Sequence, residues 1–166
     1  CGFAQVTCEG LLGTITGAFD VASEVQMTTQ IMQGGREFAY SKLRLYKDEA
    51  GEWQSEELER RGVRRPEDSE GTEDGAEPTF DFNCEGHTLT ETEKGWDLVI
   101  PETRENVPVK QWDVSLIRQA DAIVPSKVAG QFEAKVLFIP FRGSFTTEFS
   151  DWILPVDATS RNENQR

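Results

Sequence analysis

Between Glu24 and Trp152 the chain repeats short segments in which apolar and polar residues alternate, separated by turn-forming residues. A period of two predicts strands with one buried face, and short connections predict antiparallel hairpins. No segment between them has the helical pattern that parallel crossover connections require. The sequence therefore predicts about eight or nine strands in one antiparallel meander, with one apolar face and one face in water.

One helix is predicted before these strands. From Cys8 to Ala22, apolar residues recur at helical intervals and form one stripe, while three glycines lower the helix propensity. Such a helix needs a larger element to pack on. The predicted fold class is therefore α+β and mostly β, a curved antiparallel sheet or incomplete β-barrel wrapped on a short N-terminal helix.

Turn and parity signals locate several boundaries. Gly34-Gly35 predicts a hairpin turn, and a change of parity near Ser41 predicts a bulge or a bend. The third strand is expected to end near Leu58, a later strand to begin at Phe80, and another to run over Gln131–Ile139.

The length of the chain, 166 residues, suits one domain. We expect an N-terminal segment at 1–7, a half-barrel domain at 8–156 and a loose tail at 157–166. Residues 60–79 are rich in arginine and acidic residues and have little to bury, which predicts a mobile charged insertion. It is either a solvated loop or a docking loop for a charged partner.

The three cysteines of the chain give information about its cellular compartment. Cys8 and Cys84 either form a disulfide, which favours export to the periplasm or cell envelope, or are reduced, with Cys84 a small buried apolar residue. Cys1 is either the lipidated first residue of a mature lipoprotein, part of a signal-peptide remnant, or the result of truncation. No run of apolar residues is long enough to span a membrane, so any membrane attachment would be a lipid anchor.

Charge and motifs narrow the function. A net charge of −13 repels phosphate backbones, so we expect no nucleic-acid partner. The only histidine, His87, lies in a predicted turn without the arrangement of a catalytic triad, and the ligand spacings of zinc or calcium sites are absent. No nucleotide-binding motif is present. We therefore expect no catalytic residues, no metal and no cofactor, and hence no enzyme.

Large apolar residues recur at alternate positions of the later strands, on the side that is predicted to face the core. One short helix covers little of such a face, so these residues form either a filled core or a core with a cavity for an apolar ligand. The candidate lining residues are Trp96, Leu98, Trp112, Val114, Phe132, Val136, Phe138, Phe145 and Phe149.

The order of elements also resembles a known family. A leading amphipathic helix, a meander, the strand Trp96–Pro101, a polar loop and the segment Val109–Val114 are similar to the periplasmic outer-membrane lipoprotein carriers (LolA/LolB-like half-barrels). The segment Phe82–Leu89, with its acidic-Gly turn, resembles a strand of that family. The carriers have further lid helices in mid-chain, whereas here Glu93 is followed almost directly by Trp96.

The resemblance implies an unclosed barrel with a helical lid whose apolar inner face holds acyl chains, and it implies no catalytic residues. The function expected from the sequence is a non-catalytic cell-envelope protein that binds an apolar small molecule, a lipid or an acylated protein. The alternative is a structural or protein-interaction module of the envelope with a filled core and no ligand. Oligomeric state is not predicted.

Overall fold

A single open sheet makes up most of the computed structural model, which describes residues 6–62, 82–105, 107–119 and 122–155. One helix precedes eight strands: α1 (Cys8–Val21), β1 (Glu24–Gln33), β2 (Arg36–Lys47), β3 (Trp53–Gly62), β4 (Thr88–Glu91), β5 (Gly95–Pro101), β6 (Val109–Gln119), β7 (Ala122–Val136) and β8 (Ile139–Ile153). The strands pair antiparallel in the order β3-β2-β1-β8-β7-β6-β5-β4, with the two ends left open. The predicted fold class is confirmed.

Helix α1 forms where the apolar stripe predicts it. The Thr7 side-chain oxygen accepts a hydrogen bond from the Gly10 backbone N–H at 3.0 Å, which caps the first turn. Leu11, Ile15 and Phe19 follow at helical spacing and are buried against the sheet. We call the face of the sheet on which α1 packs the inner face, and the opposite face the outer face.

Contacts of α1 with both edges of the sheet require the sheet to curl. At one end, Cys8 forms a disulfide with Cys84, which precedes edge strand β4. At the other end, the ring of Phe19 lies 6.0 Å from the ring of Trp53 on edge strand β3. Eight flat strands would span about 34 Å, whereas the 14 residues of α1 extend about 21 Å. The helix reaches both edges because the sheet wraps around it.

At Ser41 itself, where a bulge or a bend was expected, the pairing of β2 with β1 is regular, and the two irregularities lie nearby, one on β2 and one on β3. Against β1, Phe38 is an extra residue without a partner between Ala39 and Glu37. Against β3, Leu58 is the extra residue, and β3 continues beyond its predicted end to Gly62. Such bulges redirect the side chains that follow them.

The strand predicted to begin at Phe80 is not formed across Phe82–Cys84. Phe80 itself lies outside the described residues. In the described part, the Asn83 side chain accepts a hydrogen bond from the backbone N–H of Glu85, forming a local turn that competes with strand pairing.

Strand β7 begins well before Gln131, where its start was predicted. The earlier part contains Pro125, a residue that argues against a strand interior. The β6–β7 register shifts between Ser115 and Leu116, so Pro125 lies at an irregular point of the ladder, where proline is tolerated.

Candidate functional site

The residues predicted to line a cavity divide by burial. Those that pack with α1 in the buried core are Trp96, Leu98, Val114 and Phe149. Trp112, Phe132 and Phe145 are only half-buried. Phe138 is 98% exposed, and the side chain of Val136 lies outside what the structure describes. The inner face is therefore a packed core beneath α1 and a partly open surface elsewhere.

Phe138 lies in a hairpin turn rather than in a strand, which corrects its predicted place on the inner face. Val136 pairs with Ile139, and the two residues between them, Leu137 and Phe138, have φ values of 51° and 68°. Turns of this kind favour glycine, asparagine and aspartate. Since the chain has none of these here, the alternation of apolar residues suggested a continuous strand.

Two of the three half-buried aromatic residues, Trp112 and Phe145, belong to one row across the inner face. Trp112 on β6 pairs with Gly130 on β7, which pairs with Phe145 on β8. Phe145 pairs with Ile31 on β1, which pairs with Ala39 on β2. The rings of Trp112 and Phe145 meet across Gly130 with 5.6 Å between their centroids. We call Trp112, Phe145, Ile31 and Ala39 the apolar row.

Two glycines allow the rings of Phe145 and Phe132 to lie close to the backbone of the sheet. A Cβ atom on Gly130 would lie 2.8 Å from Cε1 of Phe145, and one on Gly143 would lie 2.5 Å from Cζ of Phe132. The rings therefore lie over bare backbone of the neighbouring strand, a cross-strand packing of aromatic residues on glycine. Rings in this position form a floor rather than filling the space above the sheet.

The side chain of Trp112 is also fixed from outside the row. Its indole Nε1–H donates a hydrogen bond to Oε2 of Glu102 at 2.7 Å. The hydrogen bonds from Arg104, with a smaller contribution from Trp112, lower the pKa of Glu102 to about 2, although partial burial opposes this shift. The ionised carboxylate thus anchors the indole ring at one end of the apolar row.

A polar row runs beside the apolar row on the same face. Arg60 on β3 pairs with Ser41 on β2, which pairs with Thr29 on β1, which pairs with Thr147 on β8. The two threonine hydroxyls are 3.1 Å apart and share a hydrogen bond. We call these four residues the polar row. A cavity of about 140 Å³ is bordered by Thr29, Ser41 and Arg60, by Ile31 and Ala39 of the apolar row, and by Tyr40 and Arg61.

The bulge at Leu58 decides which arginine reaches the inner face. Arg60 pairs with the inward-facing Ser41, whereas Arg61 pairs with Tyr40. Arg61 lies on the outer face, where its guanidinium stacks 3.8 Å from the Tyr40 ring centroid and pairs with Glu37 at 2.9 Å. Arg60 was not predicted as a site residue because the residues from 60 onward have the composition of a charged insertion.

The predicted disulfide between Cys8 and Cys84 is present. His87 is exposed, and its Nδ1 lies 2.7 Å from the Cys84 carbonyl oxygen, as part of a turn. Among the described residues, no three His, Cys, Asp or Glu side chains cluster in a way that would hold a metal ion. Cys1, residues 63–79 of the predicted insertion and the tail lie outside the described residues. No helix in the described ranges is both long and apolar enough to cross a membrane.

The sequence matches no protein-family model and no curated protein sequence. Among solved structures, the chain is similar to the crystal structure of a LolA superfamily protein from Nitrosomonas europaea, with a TM-score of 0.31 and 9% sequence identity over 94% of this chain and 97% of that chain. Likeness at this level does not establish membership of that superfamily.

Proposed function

We propose that this protein binds an apolar or amphipathic small molecule, such as a lipid or the acyl chain of a lipidated protein, along the apolar row. The observation that carries the proposal is that Trp112 and Phe145 remain half-buried, whereas Leu98 and Val114 on the same face are sealed under α1. When a ligand covers an apolar surface that is partly exposed to water, the free energy of the system falls, so binding there is favourable.

The character of the two faces supports a ligand on the inner side. The outer face carries ion pairs, including Arg44 with Glu24 and Glu56 and Arg61 with Glu37. Such a face is stable in water as it stands. The inner face offers aromatic rings, aliphatic side chains and a few hydroxyl groups, the mixture that is typical of small-molecule sites.

The Cys8–Cys84 disulfide supports a place outside the cytosol, since disulfides persist in oxidising compartments. A periplasmic or envelope protein that holds a lipid without transforming it fits this combination. Lipid anchoring through Cys1 remains part of the proposal and is tested by the intact mass of the native chain.

Binding is tested with N-phenylnaphthylamine, a neutral fluorophore whose emission rises in apolar surroundings. Ile31→Glu places a charge in the apolar row and is expected to abolish the fluorescence increase. Met32→Glu is the matched control, because Met32 is the next residue on β1, is similarly half-buried and faces outward. The proposal fails if the native protein gives no increase, or if the two variants bind alike.

A second candidate is protein binding through the β7–β8 turn. Leu137, Phe138 and Ile139 are 86%, 98% and 68% exposed, so three large apolar side chains stand together in water. A photo-crosslinking residue at position 138 should join one specific partner in extracts of the native host. The same residue at position 21 is the control, since Val21 is 55% exposed on α1, far from this turn in the chain. Equal crosslinking at both positions contradicts this candidate.

A further inference from the structure

On β2, β1 and β8, the polar row interrupts a face that is apolar on both sides of it. Toward the hairpin turns, it is followed by Ala39, Ile31 and Phe145, and toward the other end of the strands by Leu43, Met27 and Phe149. Polar side chains on the packing face of a sheet are costly unless they are hydrogen-bonded. Their alignment across four neighbouring strands indicates a place for a polar group.

We propose that the polar row receives the anionic head group of an amphipathic ligand, a carboxylate or phosphate, with Arg60 as its principal partner and the ligand's apolar part on the apolar row. This inference rests on the proposed function and names the class of ligand. Adjacent rows on one face are about 6.6 Å apart along the strand, so a head group and the first methylene groups of its chain can occupy both.

Arg60 faces the inner side because a bulge turns it there. Glu57 pairs with inward-facing Leu43, and Glu59 pairs with Lys42, so Leu58 is the unpaired extra residue between them. In a regular strand, Arg60 would have the parity opposite to Glu57 and would point outward. Bulges often occur beside functional sites, where they redirect a side chain.

The guanidinium of Arg60 has donor capacity left over. Its Nη2 pairs with Oε2 of Glu57 at 2.7 Å, but its Nε is buried and has no hydrogen-bond partner among the described residues. A buried N–H without an acceptor is rare in folded proteins. Arginine is suited to carboxylate and phosphate groups because its N–H groups form a planar fork. Since Nε has almost no solvent-accessible surface, a ligand oxygen reaches it only when the Arg60 side chain turns toward the cavity.

The remaining polar groups fit the same head group. Ser41 and Thr29 border the cavity with Arg60, and their hydroxyls can donate to a second ligand oxygen. The cavity of about 140 Å³ is large enough for a carboxylate and its first methylene groups. The net charge of −13 repels anions at long range, so recognition of an anion requires a local contact of this kind.

The test compares dodecanoate and dodecanol as competitors that displace N-phenylnaphthylamine from the full chain near neutral pH. The two have the same chain length and differ at the head group. We expect the native protein to bind dodecanoate about tenfold or more tightly than dodecanol, the size of a charge-assisted hydrogen bond. Arg60→Gln should remove this preference, and Arg60→Lys should restore part of it.

Arg44→Gln is the matched control, because it removes the same charge from the outer face of the neighbouring strand β2, where Arg44 pairs with Glu24 and Glu56 and does not border the cavity. It should leave the preference for dodecanoate intact. Equal affinities for dodecanoate and dodecanol in the native protein overturn the anionic head group while leaving the apolar site in place. Equal losses in Arg60→Gln and Arg44→Gln overturn it as well. If neither competitor nor the probe binds, the proposed function fails, and this inference fails with it.

Discussion

Gly130 and Phe145 face each other on adjacent strands at a distance that leaves no room for a Cβ atom on residue 130. Such an atom would lie 2.8 Å from the Phe145 ring and 3.0 Å from the backbone oxygen of Gln111. Glycine at this position lets the Phe145 ring pack directly on the backbone of β7 and contact the ring of Trp112 on β6. The floor of the candidate site therefore depends on a residue without a side chain.

Gly130→Ala is expected to lower the free energy of unfolding by about 1–3 kcal/mol, the usual cost of overpacking. The backbone oxygen of Gln111 cannot move aside as a flexible side chain does. Gly17→Ala is the control, since nothing lies within 4 Å of its Cβ position, and alanine in a helix should stabilise the protein by about 1 kcal/mol. Urea unfolding of both variants measures the difference. A neutral Gly130→Ala contradicts the tight packing.

Replacing Leu137-Phe138 with Asn-Gly should stabilise the protein by about 1–3 kcal/mol. Both residues have positive φ, which is costly for large side chains and suits asparagine and glycine. The reverse change at the β1–β2 turn is the control. Gly34 and Gly35 have φ values of 58° and 77° with open space around them, so Gly34→Leu/Gly35→Phe should destabilise through the backbone alone. Thermal unfolding measures both, and a gain in the control would contradict the reasoning.

Reduction of the Cys8–Cys84 disulfide should lower the free energy of unfolding. The bond joins residues separated by 76 positions, and opening a loop of that size costs about 4–5 kcal/mol in the chain-entropy model. Denaturant unfolding with and without a thiol reductant measures the effect. The Cys8→Ser/Cys84→Ser variant should already be destabilised and should not respond to the reductant. A response of equal size in that variant would show that the reductant acts elsewhere.

Glu102 should make the stability depend on pH in the acid range. Its pKa is lowered from 4.5 to about 2, chiefly by the hydrogen bonds from Arg104, so the folded state favours the ionised form. This stabilisation is fully present above about pH 4.5 and is lost as the pH falls toward about 2. Glu102→Gln should therefore lower the Tm most at neutral pH and least near the acid limit. A Tm difference that is constant across this range contradicts the role of the charge.

Much of the fold could be read from local patterns. The stripe from Leu11 to Phe19 predicted α1, and Gly34-Gly35 predicted the first hairpin turn. Both are local: a helical stripe depends on spacing within a few turns, and a tight turn depends on residues that tolerate positive φ. The disulfide between Cys8 and Cys84 was one of two alternatives, because chain distance alone does not bring two thiols together.

The candidate site was predicted less well. Phe145 and Trp112 were correctly placed on the inward parity, but the same reasoning extended to Phe138, which lies in an exposed turn. Arg60 was assigned to a charged insertion, and instead it occupies the inner face. A bulge, or a turn that lacks glycine and asparagine, changes which face of the sheet the following side chains occupy. Neither can be recognised from the local amino-acid composition.

The sequence by itself determined the antiparallel sheet, the single helix and the apolar face, because each follows from the periodicity of neighbouring residues. Only the tertiary structure decided which part of that face α1 covers, and that Arg60, Ser41, Thr29 and Thr147 form one row. The physical reason is that register across strands is set by long-range pairing and by single-residue bulges. One unpaired residue at Leu58 is enough to turn every following side chain of the strand to the opposite face.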